Sequence, residues 1–133
     1  MSKVLLLPVV LSTFILGTDA STSHVQNLAL KRTVLMRRDI SVPGYEAIMI
    51  RTEVPVGGRE GRHTHPGTFV GLVEQGTFRV DYEGVPSTIY KAGDSFFVDA
   101  GKIHEGINVG DVPVKVLLTL VVENGATLVT PAK

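Results

Sequence analysis

The stretch "GREGRHTHPGTFVGLVEQG", residues 58–76, sets two histidines, His63 and His65, one residue apart inside a frame of glycines. Side chains alternate across an extended strand, so both imidazoles project from one face and Thr64 from the other. The chain holds four histidines, and a third, His104, follows in "DAGKIHEGIN", residues 99–108. Three of the four therefore fall in two glycine-framed segments that a closed sheet can bring together. Neutral imidazole is the commonest nitrogen ligand of first-row transition metals. Three imidazoles on one side of an ion leave positions for water, oxygen or substrate. On spacing alone, a solvent-facing His-x-His strand and a satisfied polar histidine beside a loop fit equally well. His24 stands alone in the polar run "STSHVQNLAL", residues 21–30, and reads as solvated.

Outward from this stretch the chain is a series of short apolar runs separated by turn residues. "YEAIMIRTEV" (45–54), "TFVGLVEQ" (68–75), "TFRVDY" (77–82), "SFFV" (95–98) and "VKVLLTLVVE" (114–123) are separated by Gly/Pro-rich segments such as "PVGGREG" and "KAGD". Roughly eight or nine strands at the spacing of an all-β sandwich or barrel are expected. No window after residue 20 shows helical apolar spacing with caps. Glycines 71, 106 and 110 fall inside runs rather than between them.

Hydrophobic residues make up 44% of the 133-residue chain and charged residues 20%, the balance of one globular domain rather than a disordered chain. Net charge is zero. A nucleic-acid binder shows a basic face or stripe, and the pairs Lys31-Arg32 and Arg37-Arg38 read instead as solvated strand residues. With no cysteine in the chain, disulfides, thiolate nucleophiles and cysteine-bound zinc are excluded. No nucleophile elbow, phosphate loop or dinucleotide fingerprint occurs.

The first residues have the layout of a secretory signal. Lys3 precedes an apolar run, Val4–Leu16, and "GTDAS" supplies small residues for cleavage after Ala20. The run is shorter than the roughly 20 residues of a membrane span, so no stable span is expected after cleavage. The expected layout is a signal peptide over 1–20, an N-terminal arm over 21–32 and a β-barrel domain over 33–133, exported to the periplasm or beyond.

The framing residues resemble the two motifs of the cupin family. The first, G-x5-H-x-H-x(3,4)-E-x6-G, is matched by Gly57, His63, His65 and Gly76. The second, G-x5-P-x-G-x2-H-x3-N, is matched by Gly93, Gly101, His104 and Asn108. The resemblance covers roughly residues 45–122. It implies the cupin double-stranded β-helix, a jelly-roll barrel. In that fold His63, His65 and His104 would hold a divalent transition metal (iron, manganese, nickel or zinc) in the barrel mouth, and Asn108 would play a structural part. Glycines 57, 76, 93 and 101 would occupy turns that demand positive φ.

Two positions depart from the family pattern. Asp99 replaces the proline of the second motif and affects loop stiffness. Phe69 stands where the first motif places its fourth ligand, a glutamate, and the next allowed position is Val70. Cupin dioxygenases of thiols and diketones include members that lack this glutamate and bind iron through three histidines. Without it the centre gains one unit of positive charge, favours anionic or chelating substrates and binds metal less tightly, while Phe69 adds an apolar ring to the pocket. Among carboxylates able to replace it, Glu60, three residues before His63 in the "GGREG" loop, is the one best placed to reach in. Glu105 is expected to turn outward by alternation, Glu74 to lie on a hairpin surface, and all three to be solvated. Arg59 and Arg62 are surface charges that could steer an anion toward the mouth.

Two readings of function stand open. One is a metal-dependent cupin acting on a small organic molecule, of the dioxygenase type first and the isomerase or decarboxylase type behind it, with no catalytic base identified. The other is a non-catalytic cupin that binds a small molecule or metal and has lost its fourth ligand. A homodimer is expected by analogy with the family, with the apolar "VKVLLTLVVE" pairing or exchanging at a sheet edge.

Overall fold

A computed structural model describes residues 29–133; the expected signal peptide, His24 and most of the expected arm lie outside them. Ten strands follow in order: β1 Lys31–Asp39, β2 Tyr45–Val54, β3 His63–Thr64, β4 Phe69–Gln75, β5 Thr77–Tyr82, β6 Thr88–Lys91, β7 Ser95–Val98, β8 His104–Asn108, β9 Val114–Glu123 and β10 Thr130–Pro131. The described residues contain no helix, so none is long and apolar enough to cross a membrane. The strands form two five-stranded sheets, ordered β1-β2-β9-β4-β7 and β10-β3-β8-β5-β6. Every strand pairing is antiparallel. This is the all-β double-stranded architecture expected from the turn spacing.

Alternation decides which side chains enter the core. In β2 every second residue from Glu46 to Val54 is buried, and in β9 every second residue from Val114 to Val122. These two strands pair along their whole length, from Tyr45↔Glu123 to Val54↔Val114, so their inward residues meet in register. Ile48, Ile50, Val54, Val116, Leu118 and Leu120 join Phe69, Phe78 and Phe96 in one core cluster. β9 is flanked by β2 and β4. It is therefore an interior strand, which corrects the expectation that it serves as a pairing edge. Its apolar character follows from its place at the sheet centre.

β1 is an edge strand, exposed at every residue. Its pairing with β2 shifts register between Val34 and Met36, a bulge with Leu35 as the extra residue. Ahead of the bulge Arg32 lies opposite Thr52, an inward position of β2. Directly paired residues share a face, so the bulge phases Arg32 toward the barrel interior.

The motif glycines 57, 76, 93 and 101 all have positive φ. Gly76 is the most constrained. It joins β4 of one sheet to β5 of the other at φ 87°, and a Cβ there would lie 2.9 Å from Val114 Cγ2. Within the runs, Gly71 packs beneath the Phe96 ring and Gly106 beneath Phe78 and the Glu60 carboxylate. Asn108 ties the barrel end together: its amide donates to the carbonyls of Val54 (3.0 Å) and Val112 (2.8 Å) and accepts from Gly110 N.

Candidate metal centre

Two strands only two and five residues long carry His63 and His104. His63 in β3 is the Cα partner of His104 in β8, and β10 pairs on the other side of β3. His65 lies one residue past β3, and its carbonyl accepts the Gly101 amide at 2.9 Å. That bond fastens the first histidine segment to the loop ahead of the second. The sequence spacing of two thus places both imidazoles on the inward face, and strand pairing delivers the third. All three residues are buried.

The orientation of the rings is fixed from behind. His63 Nδ1 lies 2.7 Å from Gly61 O, His65 Nδ1 2.6 Å from Leu128 O and His104 Nδ1 2.9 Å from Lys102 O. A carbonyl oxygen only accepts, so each neutral ring carries its proton on Nδ1. The lone pair is left on Nε2 in every case. The ligand atoms of the three rings lie within 4.8 Å of one another, and His63 Nε2 stands 3.2 Å from His65 Nε2. With both protons on Nδ1, that pair sets lone pair against lone pair, a repulsion that a cation between them removes. Two nitrogens bonded to one ion at about 2.1 Å are separated by about 3.0–3.4 Å in tetrahedral or octahedral geometry. The backbone carbonyls play the orienting part that outer hydrogen bonds play around ligating histidines. The His63–His65 pair stands at that spacing, and a donor set of three imidazoles suits a metal ion.

Burial lowers the pKa of His65 to about 4 and that of His104 likewise to about 4, with the neighbouring His63 adding to the effect. Both rings thus stay neutral, the form that ligates, through the physiological range.

Phe69 is 2% exposed and packs on two of the rings. Its centroid is 4.9 Å from His65, edge to face, and 5.6 Å from His104. It lines a narrow cavity whose walls include Phe78, Phe96, His65 and His104. Glu60, Arg32 and Thr52 supply further polar groups in the wall.

Glu60 differs from expectation. Its side chain is 9% exposed, and burial pushes its carboxyl above the ordinary carboxylate range, against the opposing pull of His63 and Arg32. The loop carrying it is pinned across β8 by Glu60 N donating to Gly106 O at 2.8 Å and by the Arg59↔Ile107 bridge. Its carboxylate is not within the cluster of converging ligand atoms.

Glu105 does turn to the other face of β8, as alternation requires, yet it is 6% exposed rather than solvated. Arg59 clamps it through two 2.6 Å bonds, and Gly61 N adds a third at 3.1 Å. Hydrogen bonding from Arg59 is the main reason the Glu105 carboxyl is held below its usual range. Arg62 pairs with Glu83 at 2.9 Å and Glu74 with Arg51 at 2.7 Å. Arg59 and Arg62 are therefore committed to carboxylates away from the cavity, and the cation that lines it is Arg32.

Sequence reasoning missed Arg32 and Thr52. Thr52 left a visible signal, one polar residue in the inward series Ile48, Ile50, Thr52, Val54. Arg32 left none, because its facing depends on the β1 bulge.

A sequence profile described as a cupin domain matches residues 50–132. The chain is a cupin. No curated protein matches it by sequence. Solved structures resemble it in fold. A conserved protein with a double-stranded β-helix domain from Klebsiella pneumoniae is 21% identical at a TM-score of 0.65, over 81% of this chain and 88% of its own. A cupin-like protein from Thermotoga maritima is 17% identical, also at 0.65, over 77% and 75%. Recombinant oxalate oxidase in complex with glycolate is 21% identical at 0.63, over 80% of this cupin and 57% of that chain.

Proposed function

We propose that this cupin holds one divalent first-row metal ion through the Nε2 atoms of His63, His65 and His104 and offers it to a small organic molecule in the phenylalanine-lined cavity, as an enzyme of the dioxygenase type. The observation that carries this reading is the convergence of three Nε2 lone pairs, each aimed by an Nδ1 bond to a backbone carbonyl. A three-nitrogen centre leaves coordination positions for substrate and supplies Lewis acidity or oxygen activation. The chain's own residues prepare those positions. Phe69 and Phe96, 5.9 Å apart edge to face, exclude water from one side and favour an apolar substrate body. Glu60 is the buried carboxyl of the cavity wall, 3.4 Å from the Arg32 guanidinium. The likeness to oxalate oxidase, a protein that acts on a small acid, supports the substrate size.

Metal content per chain of the full protein, beside His63→Ala and His104→Ala, tests the centre. About one ion per chain, lost in both variants, is expected. No ion in the wild type after reconstitution with iron, manganese, nickel or zinc sinks the reading. Oxygen consumption with a panel of small acids and diketones then tests the chemistry.

Phe69 at the glutamate position favours a second reading, a cupin that binds its ligand without turnover. Stoichiometric metal with no oxygen uptake or product across the panel would favour it. Residues 1–20 support export, tested by sequencing the mature N-terminus. A homodimer is proposed through the outer face of the first sheet, where Val70 and Phe97 are each 56% exposed.

A further inference from the structure

Thr52 is 1% exposed and lines the cavity. Its Oγ1 is, among the described residues, the one buried side-chain polar atom without a hydrogen-bond partner. A buried hydroxyl left unpaired is costly, and native interiors keep few of them without a purpose. Arg32 is its Cα partner across β1–β2 and shares its face and its cavity. The guanidinium makes a single long contact there, 3.4 Å to Glu60 Oε1. A guanidinium carries five N–H donors, so most of its capacity stays open. A donor hydroxyl and an under-used guanidinium side by side form a site for an anionic acceptor, and the planar fork of arginine suits a carboxylate.

The site shares its cavity with His65 and His104, and the charge of Arg32 acts on His65. Thr52 pairs with Val116 of β9, while Phe69, which packs on His65 and His104, pairs with Leu120. Val116 and Leu120 lie about 13 Å apart along β9, so Thr52 and Phe69 enter the cavity at different levels of the wall. Phe78, Phe96, Val116 and Leu118 make the apolar part of the wall, and the buried Glu60 carboxyl, acted on by both Arg32 and His63, is its polar part.

We propose that Arg32 and Thr52 form a carboxylate-recognition subsite, and that the ligand of this cupin is a small carboxylate with an apolar body lying along the cavity from that subsite toward the histidines. The substrate class deepens the metal-centre reading and rests on it. The subsite itself does not, because neither residue belongs to the histidine cluster. Glu60 holds Arg32 in the free protein and yields it to the ligand.

Calorimetric titration of the full protein with butyrate, and with butyramide as its neutral counterpart, tests the subsite. Each titration is run on metal-loaded and on chelator-stripped protein, with Arg32→Gln and Thr52→Val as variants. Butyrate is expected to bind both wild-type forms at least tenfold more tightly than butyramide. Each variant should weaken butyrate about tenfold and leave butyramide and metal content unchanged. Thr52→Val is close to isosteric and removes only the unpaired hydroxyl, so a thermal melt confirming its fold keeps the test decisive. Equal butyrate affinity in wild type and both variants overturns the proposal, as does no measurable binding of butyrate by the wild type. Binding that needs the metal and ignores both variants also overturns it, while sparing the three-histidine centre. Binding that follows Arg32 and Thr52 in a protein that takes up no metal upholds the subsite and sinks the centre.

Discussion

His63 lies directly opposite His104 in the pairing of β3 with β8, with ring centroids 4.4 Å apart. Each ring gives its Nδ1 proton to a carbonyl two residues back in its own chain segment, Gly61 O and Lys102 O. The tautomer of the metal-free protein follows. Nitrogen-15 NMR of the stripped protein at neutral pH should show His65 and His104 as Nδ1–H tautomers, with unprotonated Nε2. An Nε2–H tautomer at His104 would break the orienting scheme and with it the case for convergent lone pairs.

Stability of the metal-free protein should depend on pH through the same rings. His65 and His104 have folded-state pKa values of about 4, against 6.5 for an unperturbed histidine. Between these values the unfolded chain binds protons that the folded chain refuses, so stability falls as pH drops from about 6.5 to 4 and is flat above. Each ring accounts for up to about 3 kcal/mol at the acid end. Glu60, whose carboxyl is raised by burial, works in the opposite direction, losing stability as pH rises through its folded value. Urea midpoints of stripped protein from pH 4 to 7.5 should therefore rise through pH 6.5. A midpoint that falls over that range would mean the rings are not buried as neutral bases.

Substituting Phe69→Glu should make folding depend on metal. The residue is fully enclosed between His65, His104 and Phe96. In the stripped protein a carboxylate there meets only imidazoles that burial keeps neutral, and a buried charge without a counter-charge costs about 3–5 kcal/mol. With metal present the carboxylate gains a cation and completes the family's ligand set. The melting temperature of Phe69→Glu should lie well below wild type when stripped and gain more than wild type on adding metal. Equal gains in both proteins would place residue 69 out of reach of the ion.

Removing the unpaired hydroxyl at Thr52 should stabilise the protein. A methyl in place of Oγ1 keeps the shape and abolishes an unmet desolvation cost of about 1–3 kcal/mol. Thr52→Val should melt a few degrees higher than wild type. A lower melting temperature would show that Oγ1 is satisfied in solution. A gain in stability joined to a loss of carboxylate binding is the pattern of a residue kept for its ligand.

The barrel was legible because its physics is local. Alternation in β2 and β9, and turns that only glycine relieves, read directly from the chain, and so did His63 and His65 on one face. Properties that depend on strand order were not local. β9 looks like an edge from its apolar run, yet β2 and β4 flank it. Arg32 sits in an exposed strand whose bulge alone turns it toward Thr52. Glu60 belongs to a loop that reads as solvated until its backbone is seen bonded to Gly106. The missing side chain at Gly106 is what admits its carboxylate.

The outer face of the first sheet carries the last prediction. Phe97, Val70, Thr119, Met49 and Met36 are consecutive cross-strand partners across β7, β4, β9, β2 and β1. The row runs over the full width of the sheet, with Phe97 and Val70 each 56% exposed and Met36 41%. Leu72, 41% exposed, and Val121, 47%, flank it on the same face. Scattered apolar residues need no explanation, but a contiguous band marks an interaction surface. A two-fold axis through such a band makes it self-complementary, so a second copy is the simplest partner. The purified protein should run at twice the chain mass by light scattering at micromolar concentration. Phe97→Glu puts a charge at the edge of the band in each copy and should shift the species to a single chain mass, leaving metal content unchanged because the histidines face the other side of the barrel wall. A wild type that stays at one chain mass, or a Phe97→Glu variant that stays at two, would rule this face out as the interface.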